Sequence, residues 1–255
     1  MLSYLALFLI LQNASYFTNA ATVYLCGDST MAKGGQGIEG WGEHLGTFLT
    51  IPVQNKAIGG RSVRGFTNEG RFDAVAKVVQ PGDTVVIEFG RNDGGTLKND
   101  SRGQVPCPGD GTQTCEGKYK DQPVTVYTFP GYLARAGKAM TSKGAKVIFS
   151  AMLPHNIFWT SKPGAEPNLN PTPPKFVEYA KNAVLMVGPG ASYVDHWDST
   201  VKMYRELGKE KTYALFAKEA DPIHTNAIGA KKTAESFVRA VLEAQDPLKG
   251  YVKKS

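Results

Sequence analysis

Five short apolar segments recur along the chain, and patterns typical of helices lie between them. We predict strands at Thr22–Cys26, Pro52–Asn55, Thr84–Phe89, Lys146–Ala151 and Ser192–Asp195. We predict helices near Trp41–Phe48, Phe72–Val79, Phe129–Ser142, Lys175–Val187 and Asn226–Ala244. Several of the strands are apolar throughout, which is typical of sheets covered on both faces. Because strands and helices alternate, the sequence predicts an α/β fold with a parallel sheet in three layers.

Length and composition fit a single domain. The chain has 255 residues, of which 42% are hydrophobic and 20% are charged, which supports one sizeable core and excludes a disordered chain. Twenty-nine Lys and Arg residues against 23 Asp and Glu residues give a net charge of +6. This excess of positive charge either serves solubility alone or indicates a polyanionic partner. A negatively charged protein would repel such a partner and slow their encounter.

The two ends of the chain differ from its centre. Residues 1–20 carry no charged side chain, and their apolar run at 4–11 is too short to span a bilayer. A small residue, Ala20, ends this segment, so we interpret it as a signal peptide, with a buried N-terminal strand as the alternative. We therefore expect a secreted protein with one domain over 21–248. The basic tail, 249–255, is expected to be frayed.

The chain has three cysteines. Cys107 and Cys115 flank a stretch rich in Gly, Pro and Asp, and in an oxidising compartment we expect them to form a disulfide. Cys26 ends an apolar strand and is interpreted as a buried free thiol rather than a nucleophile. The sequon at Asn99 predicts a possible glycan site on a loop.

Two long segments show no regular pattern. They cover 94–128 and 154–174, and each follows a predicted strand. Long loops in a compact domain are usually functional or disordered. Both would lie over the carboxyl edge of the sheet, where ligands bind in open parallel sheets.

Polar residues occur at three strand ends and before the last helix. The four sets are Gly27-Asp28-Ser29-Thr30, Gly59-Gly60-Arg61-Ser62, Gly90-Arg91-Asn92-Asp93 and Asp221-Pro222-Ile223-His224. A parallel sheet brings the first three sets to one edge, and the fourth can reach that edge from the start of the final helix. The sequence therefore predicts a composite site.

This set of residues has the chemistry of an acyl-transfer site. Ser29 can act as a nucleophile once a base removes its proton, and His224 can be that base. Asp221, three residues earlier, can hold the far ring nitrogen and stabilise the imidazolium. The Ser29 N–H, the Gly60 N–H and the Asn92 amide are candidate donors to an oxyanion.

Each motif also has a simpler interpretation. Gly-Asp-Ser and Gly-x-Asn-Asp are both compatible with ordinary turns. An Asp before a helix can act as a cap without any role in catalysis. The functional prediction depends on all four sets occurring together, in this order and at these positions.

At these residues the chain resembles the SGNH (GDSL-type) hydrolases, and within them the rhamnogalacturonan acetylesterases of carbohydrate esterase family 12. Segments that carry the closer resemblance are Thr22–Lys33, Gly40–Glu43, Gly59–Ser62, Glu69–Phe72, Val86–Gly90, Asn92–Gly95, Phe176–Tyr179 and Tyr193–Trp197. The resemblance implies a flavodoxin-like α/β/α fold with a five-stranded parallel sheet. It also implies a Ser29–His224–Asp221 triad, an oxyanion hole completed by Gly60 and Asn92, and a mechanism without metal or other cofactor.

The implied substrate is an O-acetyl ester on galacturonate residues of pectic rhamnogalacturonan. Arg61 and Arg64 could pair with uronate carboxylates, for which Arg is suited, although surface charge explains them equally well. Trp197 could stack on a sugar ring or pack in the core. Arg91 stands where related enzymes carry His, which could change the substrate contacts beside the oxyanion hole.

Other motifs point elsewhere but less well. Gly35–Gly40 fits the dinucleotide pattern, yet it follows the first strand only after a gap, and no acidic residue ends the second strand. Glu88 and Asp93 could form a glycosidase pair, but Glu88 lies inside an apolar strand. His196 follows a strand and could line the crevice. No Cys or His spacing indicates zinc.

The sequence thus predicts a secreted serine esterase that deacetylates an acidic plant cell-wall polysaccharide. Acetylated xylan or a small ester is the alternative substrate, a non-catalytic polysaccharide-binding protein is a rival from another class, and a dinucleotide oxidoreductase is a third. We expect a monomer, with neither nucleic acid nor membrane as a partner.

Overall fold

A five-stranded parallel sheet forms the centre of the molecule in the computed structural model, which describes residues 21–162 and 164–254. Its strands are β1 (Val23–Gly27), β2 (Val53–Asn55), β3 (Thr84–Glu88), β6 (Lys146–Ser150) and β7 (Ala191–Val194). Their order in the sheet is β2-β1-β3-β6-β7, and all four pairings are parallel. Apart from a hairpin inserted between β3 and β6, this is the flavodoxin-like order.

Helices cover both faces of the sheet. They are α1 (Val63–Asn68), α2 (Arg71–Ala76), α3 (Phe129–Thr141), α4 (Lys175–Val187), α5 (His196–Tyr213) and α6 (Ala227–Glu243). Side chains of Ser62, Thr128, Asp195 and Asn226 accept backbone N–H bonds at the starts of α1, α3, α5 and α6. Such caps satisfy donors that a helix start leaves unpaired. The predicted helix at Trp41–Phe48 is two short 3-10 turns, Trp41–Glu43 and Leu45–Thr47.

The alternation of side chains along each strand divides the core in two. On β1, Tyr24 and Cys26 face the cluster built by the helices α1 to α4, whereas Val23 and Leu25 face the cluster that includes α6. Successive side chains of a strand point to opposite faces of the sheet. Because both faces are covered, strands β1 and β3 are buried along their whole length. The predicted three-layer α/β/α fold with a five-stranded parallel sheet is confirmed.

The prediction of one irregular segment over 94–128 was wrong in its second half. Strands β4 (Thr114–Tyr119) and β5 (Gln122–Tyr127) form an antiparallel hairpin there. Lys120 and Asp121 form its tight turn, both with positive φ. Turns with two such residues usually carry Asn-Gly or Asp-Gly, so the sequence lacked the usual hairpin signal.

Helix α5 was not predicted from the sequence, and Gly208 interrupts it with a non-helical conformation. The described part of the tail, 249–254, is not frayed, because Val252 pairs with Leu49 and the Lys253 N–H bonds to the Phe48 carbonyl at 2.9 Å. The expected signal peptide at 1–20 lies outside the described residues. The loop over 154–174 has neither helix nor strand in its described part, as predicted.

Candidate active site

Ser29 lies just beyond the end of β1, in a turn fixed by Asp28. The buried Asp28 carboxylate accepts bonds from the Thr30 N–H at 3.0 Å and the Thr30 hydroxyl at 2.9 Å. Gly27 precedes this turn, and a Cβ there would lie 2.9 Å from the Glu88 carbonyl oxygen of the neighbouring strand. The close approach of β1 and β3 therefore requires glycine at position 27 and sets where the Ser29 side chain emerges.

Three side chains form a hydrogen-bonded relay beside this turn. The Ser29 Oγ lies 2.9 Å from the His224 Nε2, and the His224 Nδ1 lies 2.8 Å from the Asp221 Oδ2. With a carboxylate at Nδ1, the proton of a neutral imidazole resides on that nitrogen, and Nε2 presents its lone pair to the hydroxyl. This is the geometry in which an imidazole can accept a proton from serine.

The Asp221 carboxylate is held by its own loop. Its Oδ1 accepts bonds from the N–H groups of Ile223 at 2.9 Å and His224 at 3.1 Å. Partial burial acts to raise the pKa of Asp221, but the bonds from the His224 side chain and from these N–H groups outweigh it and lower the pKa. The group therefore stays ionised and keeps the imidazole oriented.

The His224 loop is fastened on both sides. The Asn156 N–H donates to the Pro222 carbonyl at 2.9 Å, and the Ala217 N–H donates to the His224 carbonyl at 3.0 Å. The Thr225 hydroxyl bonds to the Glu39 carbonyl at 2.8 Å, close to the start of α6. The loop over 154–174 thus supports the acidic end of the relay.

Two free backbone donors lie next to the serine. Neither the Ser29 N–H nor the Gly60 N–H has an acceptor within the part of the chain that the structure describes. A Cβ on Gly59 would lie 3.6 Å from the Ser29 Cβ, so the Gly59-Gly60 turn directly adjoins the hydroxyl. Gly60 has a φ of +75°, a conformation that favours glycine.

Gln104 holds that turn in place. Its Nε2 donates to the Gly60 carbonyl at 3.0 Å, and its Oε1 accepts the Ser62 N–H at 2.8 Å. These two bonds hold the backbone on the carboxyl side of Gly60 in place. Gln104 was not predicted from the sequence, because a glutamine inside a long loop carries no signal of what it contacts.

Asn92 follows the end of β3, and its Nδ2 donates to the Arg61 carbonyl at 3.0 Å. An amide nitrogen carries two hydrogens, so one remains for another acceptor. The neighbouring Asp93 is buried and accepts the Val63 N–H at 2.8 Å. Burial raises the pKa of Asp93 well above its usual range, and the Val63 bond offsets this only in part.

The predicted substrate contact at Arg64 was wrong. Its side chain is 1% exposed and donates to the Asp100 carboxylate, the Val105 carbonyl and the Lys118 carbonyl, each at 2.8 Å. An arginine enclosed in this way cannot meet a polysaccharide. It joins α1 to the loop that carries Gln104 and to strand β4.

The side chains of the other three candidate substrate contacts also bond to or pack against other parts of the protein. Arg61 pairs with Glu69 at 3.0 Å and donates to the Gly59 carbonyl at 2.9 Å. Arg91 bonds to the Leu153 carbonyl. Trp197 is 8% exposed and packs in an apolar cluster, with one part of its surface facing a pocket of about 220 Å³.

Glu88 and His196 are buried in the core rather than in the crevice. Glu88 accepts bonds from Trp41, Ser150 and His196, and the His196 Nδ1 lies 2.8 Å from its Oε2. Both side chains are at most 1% exposed. A glycosidase role for Glu88 and the expectation that His196 lines the crevice are therefore both wrong.

The cysteine predictions are confirmed: Cys107 and Cys115 form a disulfide, and Cys26 is a buried free thiol. Asn99 is exposed on its loop. Within residues 21–162 and 164–254, no cluster of three or more His, Cys, Asp and Glu side chains could hold a metal ion. None of the helices described is long and apolar enough to cross a bilayer.

Comparisons with known proteins converge on one family. The family model for GDSL-like lipases and acylhydrolases matches residues 23–237. The chain is 43% identical over 223 residues to a rhamnogalacturonan acetylesterase of Emericella nidulans, covering 88% of this chain and 85% of that protein. It is 26% identical over 238 residues to a probable rhamnogalacturonan acetylesterase of Bacillus subtilis, covering 89% and 94%.

Solved structures show the same fold at lower identity. A Bacillus subtilis protein superposes with a TM-score of 0.65 at 23% identity, over 90% of this chain and 58% of that one. A lipolytic G-D-S-L protein of Veillonella parvula gives a TM-score of 0.50 at 16% identity, over 88% and 97%.

Proposed function

The chain belongs to the GDSL-like lipase and acylhydrolase family and is a carboxylic ester hydrolase, and from this premise we propose that it removes acetyl groups from rhamnogalacturonan. Ser29 is the nucleophile, His224 is the general base and acid, and Asp221 orients the imidazole. One observation carries the proposal: the continuous relay from Ser29 Oγ through His224 to Asp221, with separations of 2.9 and 2.8 Å.

Acyl transfer to the enzyme proceeds in two proton movements. The Ser29 Oγ attacks the acetyl carbonyl carbon while the His224 Nε2 takes the hydroxyl proton. The tetrahedral intermediate then collapses, and the imidazolium gives this proton to the departing sugar oxygen. Water then attacks the acetyl-enzyme while the His224 Nε2 takes one of its protons. The bond from the carbonyl carbon to the Ser29 Oγ breaks, the imidazolium returns the proton to that oxygen, and acetate leaves. Asp221 remains a carboxylate throughout and stabilises each imidazolium that forms.

The charge that develops on the carbonyl oxygen needs donors that are already in place. The free N–H groups of Ser29 and Gly60 and the second amide hydrogen of Asn92 are assigned this role. Loss of one such donor typically costs roughly 3–4 kcal/mol of transition-state stabilisation. The Gln104 bond to the Gly60 carbonyl supports this assignment, because it holds the turn that carries the Gly60 N–H.

The nucleophile is tested by replacing Ser29 with Ala and measuring acetate release from acetylated rhamnogalacturonan. We expect release to stop while the unfolding curve stays that of the wild type. Ser142→Ala is the matched control, since Ser142 is an exposed serine at the opposite edge of the sheet. Undiminished turnover by the Ser29→Ala enzyme would exclude the proposed mechanism.

The substrate class is tested with the wild-type enzyme. Identity to acetylesterases named for rhamnogalacturonan and the net charge of +6 both favour an acidic polymer. We expect faster acetate release from acetylated rhamnogalacturonan than from acetylated xylan at equal acetyl content. The reverse order would assign the enzyme to neutral polysaccharides, and binding without any turnover would assign it to the non-catalytic class.

We further propose that the enzyme acts outside the cell. A disulfide is typical of an oxidising compartment, and the uncharged segment 1–20 has the character of a signal peptide. N-terminal sequencing of protein from culture medium should begin at Ala21. Retention of Met1 in material that stays inside the cell would contradict this location.

A further inference from the structure

An open groove runs along the disulfide loop. We call it the disulfide groove; it is lined in part by Gly95, Val105, Pro108, Lys175, Phe176 and Tyr179. Its volume of about 800 Å³ lies within the range of ligand sites in proteins. It begins at Asp93 and Gly94, directly after Asn92, so its inner end adjoins the proposed oxyanion hole.

The walls of the groove are fixed before any ligand arrives. The disulfide Cys107–Cys115 closes the loop on one side. The Asn182 side chain on α4 donates to the Asp110 carbonyl at 3.0 Å and so ties this loop to the opposite wall. Because the two walls are joined, little ordering entropy is lost when a ligand enters.

Aromatic side chains form the apolar wall. The ring centroids of Phe129 and Phe176 are 4.9 Å apart, and those of Phe176 and Tyr179 are 6.1 Å apart. The Phe129 ring is buried, whereas Phe176 and Tyr179 keep part of their surface open to the groove. The apolar face of a pyranose ring packs well on surfaces of this kind.

One unpaired cation stands at the rim. The Lys175 side chain is exposed and makes no ion pair or hydrogen bond within the described part of the chain. Asp110 also lines the groove, and its carboxylate accepts a hydrogen bond from the Gln113 amide at 3.2 Å. Asp93 also lines the groove, and burial raises the pKa of its carboxyl well above its usual range.

We propose that the disulfide groove binds the sugar units next to the acetylated residue, with a uronate carboxylate paired to Lys175. This inference rests on the proposed function, because it assumes an acidic polysaccharide at Ser29. The occupant is a pyranose of that chain that packs on Phe176 and Tyr179. The groove would thus contact the sugar units of the polymer, whereas the relay acts on the acetyl ester of a polymer or of a small substrate alike.

The test compares two substrates, acetylated rhamnogalacturonan and a small aryl acetate, by their ratio of kcat/KM. For Lys175→Gln we expect the polymer-to-aryl-acetate ratio to fall about two- to fivefold at low ionic strength, the range for an exposed charge pair. Lys175→Glu should lower it further, and salt should diminish both effects. Pro108→Glu, on the opposite wall, should act in the same direction, because it adds a negative charge to the groove.

Lys143→Gln is the control, since Lys143 is an exposed lysine before β6, at the opposite edge of the sheet. Its ratio should equal that of the wild type. An unchanged ratio for both Lys175 variants at low ionic strength would overturn the groove assignment while leaving the esterase intact. Absence of acetate release from the polymer by the wild type would instead overturn the proposed function and, with it, this binding site.

Discussion

Replacement of Arg64 by Met tests whether this residue stabilises the fold or contacts the substrate. Arg64 and Asp100 form an ion pair whose side chains are 1% and 5% exposed. Removing the guanidinium leaves the Asp100 carboxylate buried without its cation, and breaking such a pair costs about 3–5 kcal/mol. The hydrogen bonds to the Val105 and Lys118 carbonyls are lost as well, so we expect a loss of at least this size.

The same change should reach the active site. The Asp100 carboxylate also accepts the N–H groups of Gln104 at 2.8 Å and Val105 at 2.9 Å. Gln104 in turn bonds to the Gly60 carbonyl at 3.0 Å. A displaced Asp100 therefore loosens the turn that carries the proposed oxyanion donor Gly60, and kcat should fall on polymer and small ester alike.

Urea unfolding followed by tryptophan fluorescence measures the stability, and turnover of an aryl acetate measures the site. Arg61→Met is the matched control, because the Arg61–Glu69 pair is 34% and 28% exposed and such pairs contribute about 0–1 kcal/mol. In a double-mutant cycle with Asp100→Asn, the double variant should lose less than the sum of the single losses. Two results together would refute this reasoning. One is a loss in unfolding free energy below about 1 kcal/mol for Arg64→Met, against the 3–5 kcal/mol of a broken buried pair. The other is a KM that rises for the polymer alone.

Four further outcomes follow from the structure. Asp221→Asn should lower kcat by several orders of magnitude with little change in KM, because an amide cannot stabilise the imidazolium; steady-state kinetics check this, and a small change would remove Asp221 from the relay. The lowered pKa of Asp221 means that its contribution to stability is present above its unfolded pKa and disappears as pH falls through the lower folded pKa. The wild-type advantage over Asp221→Asn in unfolding free energy should therefore shrink in that acidic window. Replacing both Cys107 and Cys115 by Ser should cost about 2–3 kcal/mol, as expected for a loop with a sequence separation of 8, measured by chemical unfolding; no loss would contradict a stabilising bridge. Gly27→Ala should reduce both folding yield and activity, because its Cβ would lie 2.9 Å from a backbone carbonyl of β3; a fully active variant would show that the strands can separate there.

Much of the fold could be predicted because its signals are local. The apolar segments that became β1, β3 and β6 are long enough and rich enough in Val and Ile to specify buried strands. The hairpin β4–β5 escaped prediction because its strands are largely exposed and its turn uses Lys120 and Asp121. Helix α5 was not predicted because Gly208 interrupts it and because its residues are polar on average.

The candidate site could be predicted only in part. Ser29, Asp221 and His224 were recognised from short motifs that parallel-strand topology brings to one edge, and the side chains do lie within hydrogen-bond distance. Arg64 was interpreted either as a substrate contact or as a surface charge, and both interpretations need an exposed side chain. Its burial depends on Asp100 and Lys118, which lie 36 and 54 residues away in sequence.

The sequence by itself determined which segments become the five strands of the central sheet and which polar residues follow their ends. These properties depend on side-chain periodicity and on neighbours within a few residues. Only the tertiary structure decided that Gln104 fixes the Gly60 turn, that Glu88 and His196 share a buried network, and that the disulfide loop faces Lys175 across a groove. These pairings join residues far apart in the chain, and the energy of each depends on burial and direction, which no local pattern encodes.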